Sequence, residues 1–195
     1  MKFDIVLAGV GGQGVLSLSS IIAAGAIDAG LHVKQSEVHG MAQRGGAVTA
    51  HLRLADAPIE SELIPWGAAS MILSLEPLES LRYLHLLAPS GTVVTTSQPL
   101  ANMPAYPPAE VVLDAIRSLP RAWIIDAGAL ARRAGLGQAT NMVMAGAASA
   151  LLPVPAKTIE GRIVATFERK GRKIVDANLA AFRFGREEVV CLATR

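Results

Sequence analysis

Cysteine is almost absent from this chain: Cys191 is the only one in 195 residues. A lone thiol excludes an intrachain disulfide. It also excludes a self-contained iron–sulfur cluster, which takes about four thiolates. Aromatic residues are scarce, at 4%, although 51% of the chain is hydrophobic. The core must therefore be built from Ala, Val, Leu and Ile, and with 18 glycines that mix suits helices packed closely on a largely parallel sheet. No charge of one sign dominates, because the formal net charge is +2, too small to imply a nucleic-acid partner. A long unbroken apolar run is missing as well. The Ala-rich stretch from Val15 to Ala29 is interrupted by Ser17, Ser19, Ser20, Gly25 and Asp28, which makes it a buried helix rather than a membrane span. The opening residues, Met1-Lys2-Phe3-Asp4, lead straight into an apolar strand without signal-peptide character. A soluble cytoplasmic protein is the expectation.

A chain of this length can bury roughly 70% of the surface its unfolded form exposes. Asp4 to Ala8 is a short apolar run of strand length, followed directly by Gly9-Val10-Gly11-Gly12-Gln13-Gly14. Val15, Leu18, Ile22, Ala26 and Ala29 then recur at helical spacing up to Gly30, which suits a helix stop. Leu31 to Gln35 is the next predicted strand, so the chain opens as a right-handed βαβ unit. Ser36 to Gly46 lacks periodicity and is expected to be a loop. From Val48 the pattern alternates, with Val48, Ala50, Leu52 and Leu54 on one face and Thr49, His51 and Arg53 on the other, the mark of a half-buried strand.

Met71 to Leu75 is a predicted central strand, and Glu76-Pro77 can start a helix with the proline in its first turn. Pro89-Ser90-Gly91 is a predicted turn into a strand over Thr92 to Thr96. Pro99 to Pro108 holds four prolines and cannot be regular helix or central strand. Helices are expected over Glu110 to Leu119, Ala127 to Ala134 and Asn141 to Leu152, with a strand from Trp123 to Asp126. Ala156 to Phe184 is helical apart from a break near Gly171. The fold class expected is α/β, a Rossmann-like three-layer sandwich with a mostly parallel or mixed central sheet. A single domain over residues 1–195 would carry a helical carboxyl-terminal section at about 141–185.

Three groups of residues have chemical potential. Gly9, Gly11 and Gly14, with Gly12 and Gln13 between them, sit between a strand and a helix. N–H groups exposed at such a helix start can hold a pyrophosphate or carboxylate. The same glycines serve equally as a tight turn for helix–sheet packing. Binding of NAD(P) would call for Asp or Glu at the end of the second strand; Lys34-Gln35-Ser36 stands there, and Lys34 is suited only to a 2′-phosphate. The second group is the Ser36–Gly46 loop, where Glu37, His39, Gln43 and Arg44 gather an acid, an imidazole, an amide and a guanidinium. Arg44 can grip a carboxylate or phosphate at two points, and His39 can relay a proton; the alternative is a solvated loop. The third is Arg169-Lys170-Gly171-Arg172-Lys173, able to attract phosphates or an acidic protein surface, or simply a solvated helix end. His51 and His85 are expected to be structural. No spacing of His, Asp or Glu points to a metal site.

Taken together, GVGGQGV at Gly9 to Val15, SEVHGMAQRGGAV at Ser36 to Val48 and LIPWGAASMILSLEPLESLR at Leu63 to Arg82 resemble one family. TNMVMAGA at Thr140 to Ala147 and VDANLAAFRFG at Val175 to Gly185 continue the likeness. The chain resembles the small (beta) subunits of indolepyruvate:ferredoxin oxidoreductases, the counterparts of the gamma subunit or domain in other 2-oxoacid:ferredoxin oxidoreductases. Pro99 to Pro108 matches no part of that pattern. The resemblance implies an oxidoreductase reaction in which an arylpyruvate and coenzyme A give an acyl-CoA and carbon dioxide while electrons pass to ferredoxin. It implies that thiamine diphosphate, magnesium and the iron–sulfur clusters belong to a large alpha subunit. This chain would then bind no cofactor of its own and be inactive alone. Glu37, His39, Gln43 and Arg44 would contribute to a shared site, with Gly9, Gly11, Gly12, Gln13 and Gly14 forming an anion, coenzyme A or partner-site loop. No nucleic-acid or membrane partner is expected, and the isolated chain is expected to dimerise over the face meant for its partner. A stand-alone NAD(P)-dependent dehydrogenase and a non-catalytic scaffold subunit of another complex are the competing readings.

Overall fold

The structure is a computed structural model that describes residues 1–39, 46–101 and 105–193. Among these residues six strands form one mixed sheet: β1 (Lys2–Val10), β2 (His32–His39), β3 (Ala47–Ala55), β4 (Ala69–Ser74), β5 (Leu87–Thr96) and β6 (Ala122–Ile125). Their order across the sheet is β2-β3-β1-β4-β5-β6. β1, β4, β5 and β6 run parallel, while β3 is antiparallel to both β1 and β2. Among the described residues seven α-helices pack on the sheet: α1 (Val15–Asp28), α2 (Pro77–Arg82), α3 (Ala109–Arg117), α4 (Ala127–Arg133), α5 (Thr140–Ser149), α6 (Ala156–Phe167) and α7 (Arg172–Ala193).

Alternation along the strands explains the three layers. Ile5 and Leu7 of β1, Met71 and Leu73 of β4 and Val94 of β5 pack under α1, α5, α6 and α7. Val6, Ile72 and Val93 point the other way, into a smaller core with Val112 and Ile116 of α3 and with Ile64. β1 and β4 are buried on both faces, which is why each reads as an unbroken apolar run. α1 ends at Ala29 in the geometry that Gly30 permits: Leu31 N–H donates to Ala26 O (3.0 Å) and Gly30 N–H to Ile27 O (2.9 Å), satisfying carbonyls the helix leaves open.

Several expectations are corrected. The opening β1-α1-β2 unit does not pair its two strands, because β3 inserts between them. Part of the expected Ser36–Gly46 loop is strand: β2 continues to His39, its polar residues held by backbone pairing with Val48 to Leu52. β3 is not half-buried. Thr49 and Arg53 are buried too, because residues 57–64 fold back over that face. Arg53 makes the cover hold: its guanidinium donates to Ser61 O (2.8 Å) and Leu63 O (2.9 Å) and pairs with the buried Asp4 carboxylate (3.0 Å). His51 Nδ1 accepts from Ile64 N–H (2.9 Å). Burial, and then the charge of Arg53, holds the His51 imidazole below its ordinary pKa, so it stays a neutral acceptor. Pro89-Ser90-Gly91 is no turn either. β5 runs through it beside a register shift between Ala69 and Met71, and Gly91 is needed there because a Cβ would lie 2.8 Å from Ala69 O. The carboxyl-terminal helical section runs past Gly185, as α7 continues to Ala193.

α5 and α7 touch backbone to backbone. A Cβ on Gly146 would lie 1.8 Å from Phe182 O, and one on Gly185 would lie 1.9 Å from Val143 O. Gly161 of α6 has open space around it. Gly146→Ala should therefore cost about 3 kcal/mol or more by overpacking, whereas Gly161→Ala should gain roughly 0.5–1 kcal/mol of helix propensity. Urea unfolding of the two variants checks the opposite signs.

Candidate functional site

The carboxyl ends of β1 and β4 lie side by side, and the glycine turn crosses the gap between them. Its shape is set by a side chain. Gln13 Oε1 accepts from Val10 N–H (2.8 Å), Gln13 Nε2 donates to Leu75 O (2.8 Å), and Gln13 N–H donates to Val10 O (3.1 Å). One amide thus closes the turn on itself and ties it to the strand next door. Gly12 (φ 101) and Gly14 (φ 86) adopt left-handed conformations that side chains resist. At Gly14 a Cβ would also lie 2.6 Å from Asn141 Nδ2 of α5, and at Gly9 one would lie 2.8 Å from Val15 Cγ2. Gly11 N–H is taken by Gly46 O (2.9 Å), which seats the base of the β2–β3 hairpin against the turn.

α1 begins at Gly14 with no side-chain cap and no acidic residue in its first turn. Its first intrahelical bond comes from Leu18 N–H to Gly14 O, so the N–H groups of Val15, Leu16 and Ser17 lie beyond the helix's own bonding. They border a cavity of about 310 Å³ lined by Val10, Gly11, Gly12, Leu16, Ser17 and Val48. The helix dipole adds positive potential there. A phosphate or carboxylate is the chemistry such a wall can hold.

Beyond Gln13 a second recess, of about 160 Å³, lies between Leu75, Thr96, Gln98, Leu100, Thr140 and Met144. Pro99 and Leu100 border it, and Leu100 and Tyr106 are fastened through Glu76. That buried carboxylate caps α2 by accepting from Glu79 N–H (2.9 Å), and it also accepts from Leu100 N–H (3.3 Å) and from the Tyr106 hydroxyl. Burial first, then the Glu76 hydrogen bond and charge, pushes the Tyr106 phenol well above its ordinary pKa, so it remains a donor. Gln98 Nε2 donates to Asp126 (3.2 Å), which caps α4.

Of the residues singled out in the sequence, Gly9, Gly11, Gly12, Gln13 and Gly14 come together at this edge. Glu37 is exposed on β2 and hydrogen-bonds with Gln35. His39 ends β2 opposite Val48 in the ladder. Gln43 and Arg44 lie outside the described residues. Asn141, Glu76 and Tyr106 were missed. For Glu76 and Asn141 the signal was their place inside the motifs EPLE and TNMVMAGA, but nothing local announced that Glu76 would be buried or that Asn141 would face a glycine. Among the described residues no group of three or more His, Cys, Asp or Glu stands close enough to hold a metal ion.

Removing the Gln13 amide strands a partly buried N–H and C=O, worth about 1–3 kcal/mol each. Gln13→Ala should therefore lose about 2–4 kcal/mol of stability in urea unfolding. Gln13→Glu, which keeps the acceptor but sets a carboxylate against Leu75 O, should not restore it.

A family model of pyruvate ferredoxin/flavodoxin oxidoreductases matches residues 4–188. Indolepyruvate oxidoreductase subunit IorB of Archaeoglobus fulgidus is 38% identical, over 97% of this chain and 96% of its own length. The protein of the same name from Methanothermobacter thermautotrophicus is 34% identical, over 95% of this chain and 96% of its own. Among solved structures, the keto/oxoacid ferredoxin oxidoreductase gamma subunit of Geobacter sulfurreducens superposes with a TM-score of 0.72 at 23% identity, covering 97% of this chain and 99% of that one. The 2-oxoglutarate:ferredoxin oxidoreductase of Magnetococcus marinus, solved with 2-oxoglutarate, coenzyme A and succinyl-CoA bound, gives a TM-score of 0.77 at 20% identity, over 97% of this chain and 31% of that one. The structural likenesses speak for the fold, and the match over nearly the whole length speaks for descent: this chain belongs to the pyruvate ferredoxin/flavodoxin oxidoreductase family.

Proposed function

We propose that the chain is the small subunit of an arylpyruvate (indolepyruvate) oxidoreductase that completes the reaction site of a large, thiamine- and cluster-bearing subunit. The observation that carries this is the glycine turn. It presents N–H groups that have no hydrogen-bond partner among the described residues at the carboxyl edge of the sheet, where open α/β sheets bind ligands, while the chain itself holds a single thiol. Relatives named as indolepyruvate oxidoreductase subunits match it along nearly their full length. Thiamine diphosphate, magnesium and iron–sulfur clusters reside in the partner, and ferredoxin takes the electrons. Coenzyme A is the co-substrate, and its phosphates or the 2-oxoacid carboxylate suit the first turn of α1. The complex works in the cytoplasm; no helix among the described residues is long and apolar enough to cross a membrane.

Within such an assembly this chain's contribution is placement and exclusion of water. Decarboxylation generates a carbanion-like species that must be kept from bulk solvent. Fixed N–H dipoles at the turn can meet developing negative charge without reorganising. Arg44, two residues before Gly46 in sequence, is the guanidinium proposed to grip an anionic group, with Glu37 and His39 on β2; Gly46 O accepts from Gly11 N–H of the turn. The exposed Trp66 and Leu63 offer apolar area to a neighbouring subunit, or to a second copy when the chain is alone.

The dehydrogenase reading is disfavoured by topology. Lys34, its one candidate for a 2′-phosphate, donates to Glu60 O (3.0 Å). It also stands five residues before the end of β2, about 17 Å along a strand, and β3 separates β2 from β1.

The test is reconstitution with a large, thiamine- and cluster-bearing subunit, followed by arylpyruvate-dependent dye reduction. Turnover should need both chains, and Arg44→Ala should raise the Michaelis constant for arylpyruvate or coenzyme A by about tenfold, the loss of one charge-assisted contact. Full turnover by the large subunit alone, or NADPH bound by the isolated chain in calorimetry, would refute the assignment.

A further inference from the structure

Asn141, the second residue of α5, lies with its whole carboxamide against Gly14. A Cβ on that glycine would stand 2.6 Å from Asn141 Nδ2, 3.3 Å from its Cγ and 3.6 Å from its Cβ. The side chain thus fills the space that any residue other than glycine would need. Among the described residues its amide has no hydrogen-bond partner, and the residue is only partly buried. Such an amide adds little to the stability of α5. That helix is held instead by its buried run from Met142 to Ser149 and by backbone contact with α7 at Gly146 and Gly185. Gly14 in turn decides how α1 begins. Its left-handed backbone (φ 86) turns the chain into the helix, and its carbonyl accepts the first intrahelical bond, from Leu18 N–H (3.0 Å). The directions of the Val15, Leu16 and Ser17 N–H groups follow from that residue's dihedrals. It is also the softest point of the turn, because glycine moves between left- and right-handed regions at little cost. Gln13 braces the turn through Val10 and Leu75, one residue short of Gly14.

We propose that Asn141 is a positioning residue of the anion site: bearing on Gly14, it holds the first turn of α1 in the orientation that presents its N–H groups to the cavity. This rests on the reading that those N–H groups receive a phosphate or carboxylate of the reaction. Asn141 acts through Gly14 and by its bulk. The stiffness behind it is that of α5, whose backbone cannot retreat while Gly146 and Gly185 pack directly on carbonyls of α7 and α5. A donor displaced by about 1 Å can lower a rate by roughly a hundredfold, so a contact that contributes little stability still governs how well the turn holds its ligand.

The test measures kcat and the Michaelis constants for arylpyruvate and coenzyme A in the reconstituted complex, and urea unfolding of the full chain. Ser17→Asp is the reference variant. Ser17 is exposed, lines the cavity and stands in the first turn of α1, where a carboxylate suits the helix dipole but repels a bound anion. It should raise one of the two Michaelis constants and leave the urea midpoint unchanged or higher. Asn141→Ala should raise the same constant about tenfold, with kcat within about twofold and the urea midpoint unchanged. Asn141→Leu, which keeps the bulk and removes the amide, should restore the constant. Unchanged constants in Asn141→Ala beside a raised one in Ser17→Asp overturn the inference and leave the anion site standing. Unchanged constants in both variants remove the anion site, and the inference with it. Failure of Asn141→Leu to restore the constant, or a lowered urea midpoint in Asn141→Ala with both constants unchanged, also overturns the positioning role.

Discussion

Everything at the functional edge depends on the side-chain amide of Gln13. The ends of two parallel strands diverge as a twisted sheet opens, and a glycine-rich turn bridging them has little of its own to hold a shape. By accepting from Val10 and donating to Leu75, Gln13 fixes the turn from inside and spares the N–H groups at the start of α1 for something else. The glycines on either side are then required by geometry: left-handed backbone at Gly12 and Gly14, and close approach at Gly9. Gln13 acts as a brace for the turn.

Leu75 also begins the second half of the arrangement. The next residue, Glu76, is buried, caps α2 and gathers Leu100 and Tyr106 onto the same edge. The glycine turn, the end of β4 and the Pro-rich excursion are thereby joined through adjacent residues. The insertion of β3 between β1 and β2 has a comparable consequence. It removes the parallel neighbour that a dinucleotide-binding fold uses for ribose, and in exchange it brings the base of a hairpin onto the turn through Gly11 and Gly46. A fold that begins like a nucleotide-binding unit thus departs from one at its second strand.

Much of this was legible in the residues. β1, α1 and its Gly30 stop, the start of α2 at Glu76-Pro77, and the small-residue helix α5 all follow from periodicity and capping, because each is fixed by local rules. What was not legible depended on partners distant in sequence. β2 was cut short because Ser36, Glu37 and His39 carry no strand signal; they are strand because β3 pairs with them. Arg53 and His51 fall on a solvent face by alternation alone, and only the folding back of residues 57–64 buries Arg53 and half-buries His51. Pro89 and Gly91 signal a turn in isolation, yet they lie at an irregularity that the neighbouring strand imposes. The same holds for the site: the glycines announced themselves, whereas Asn141 and Tyr106 acquire their roles only through contact with Gly14 and Glu76.

The claim that joins these features is that the N–H groups at the turn and the first residues of α1, which lack partners among the described residues, are covered when the enzyme assembles. Amide hydrogen exchange resolves them individually. In the free chain Gly12, Val15, Leu16 and Ser17 should exchange quickly, and in the complex with the large subunit and coenzyme A they should slow by about tenfold or more. Exchange at these four amides that stays the same in the assembled, active complex would contradict it.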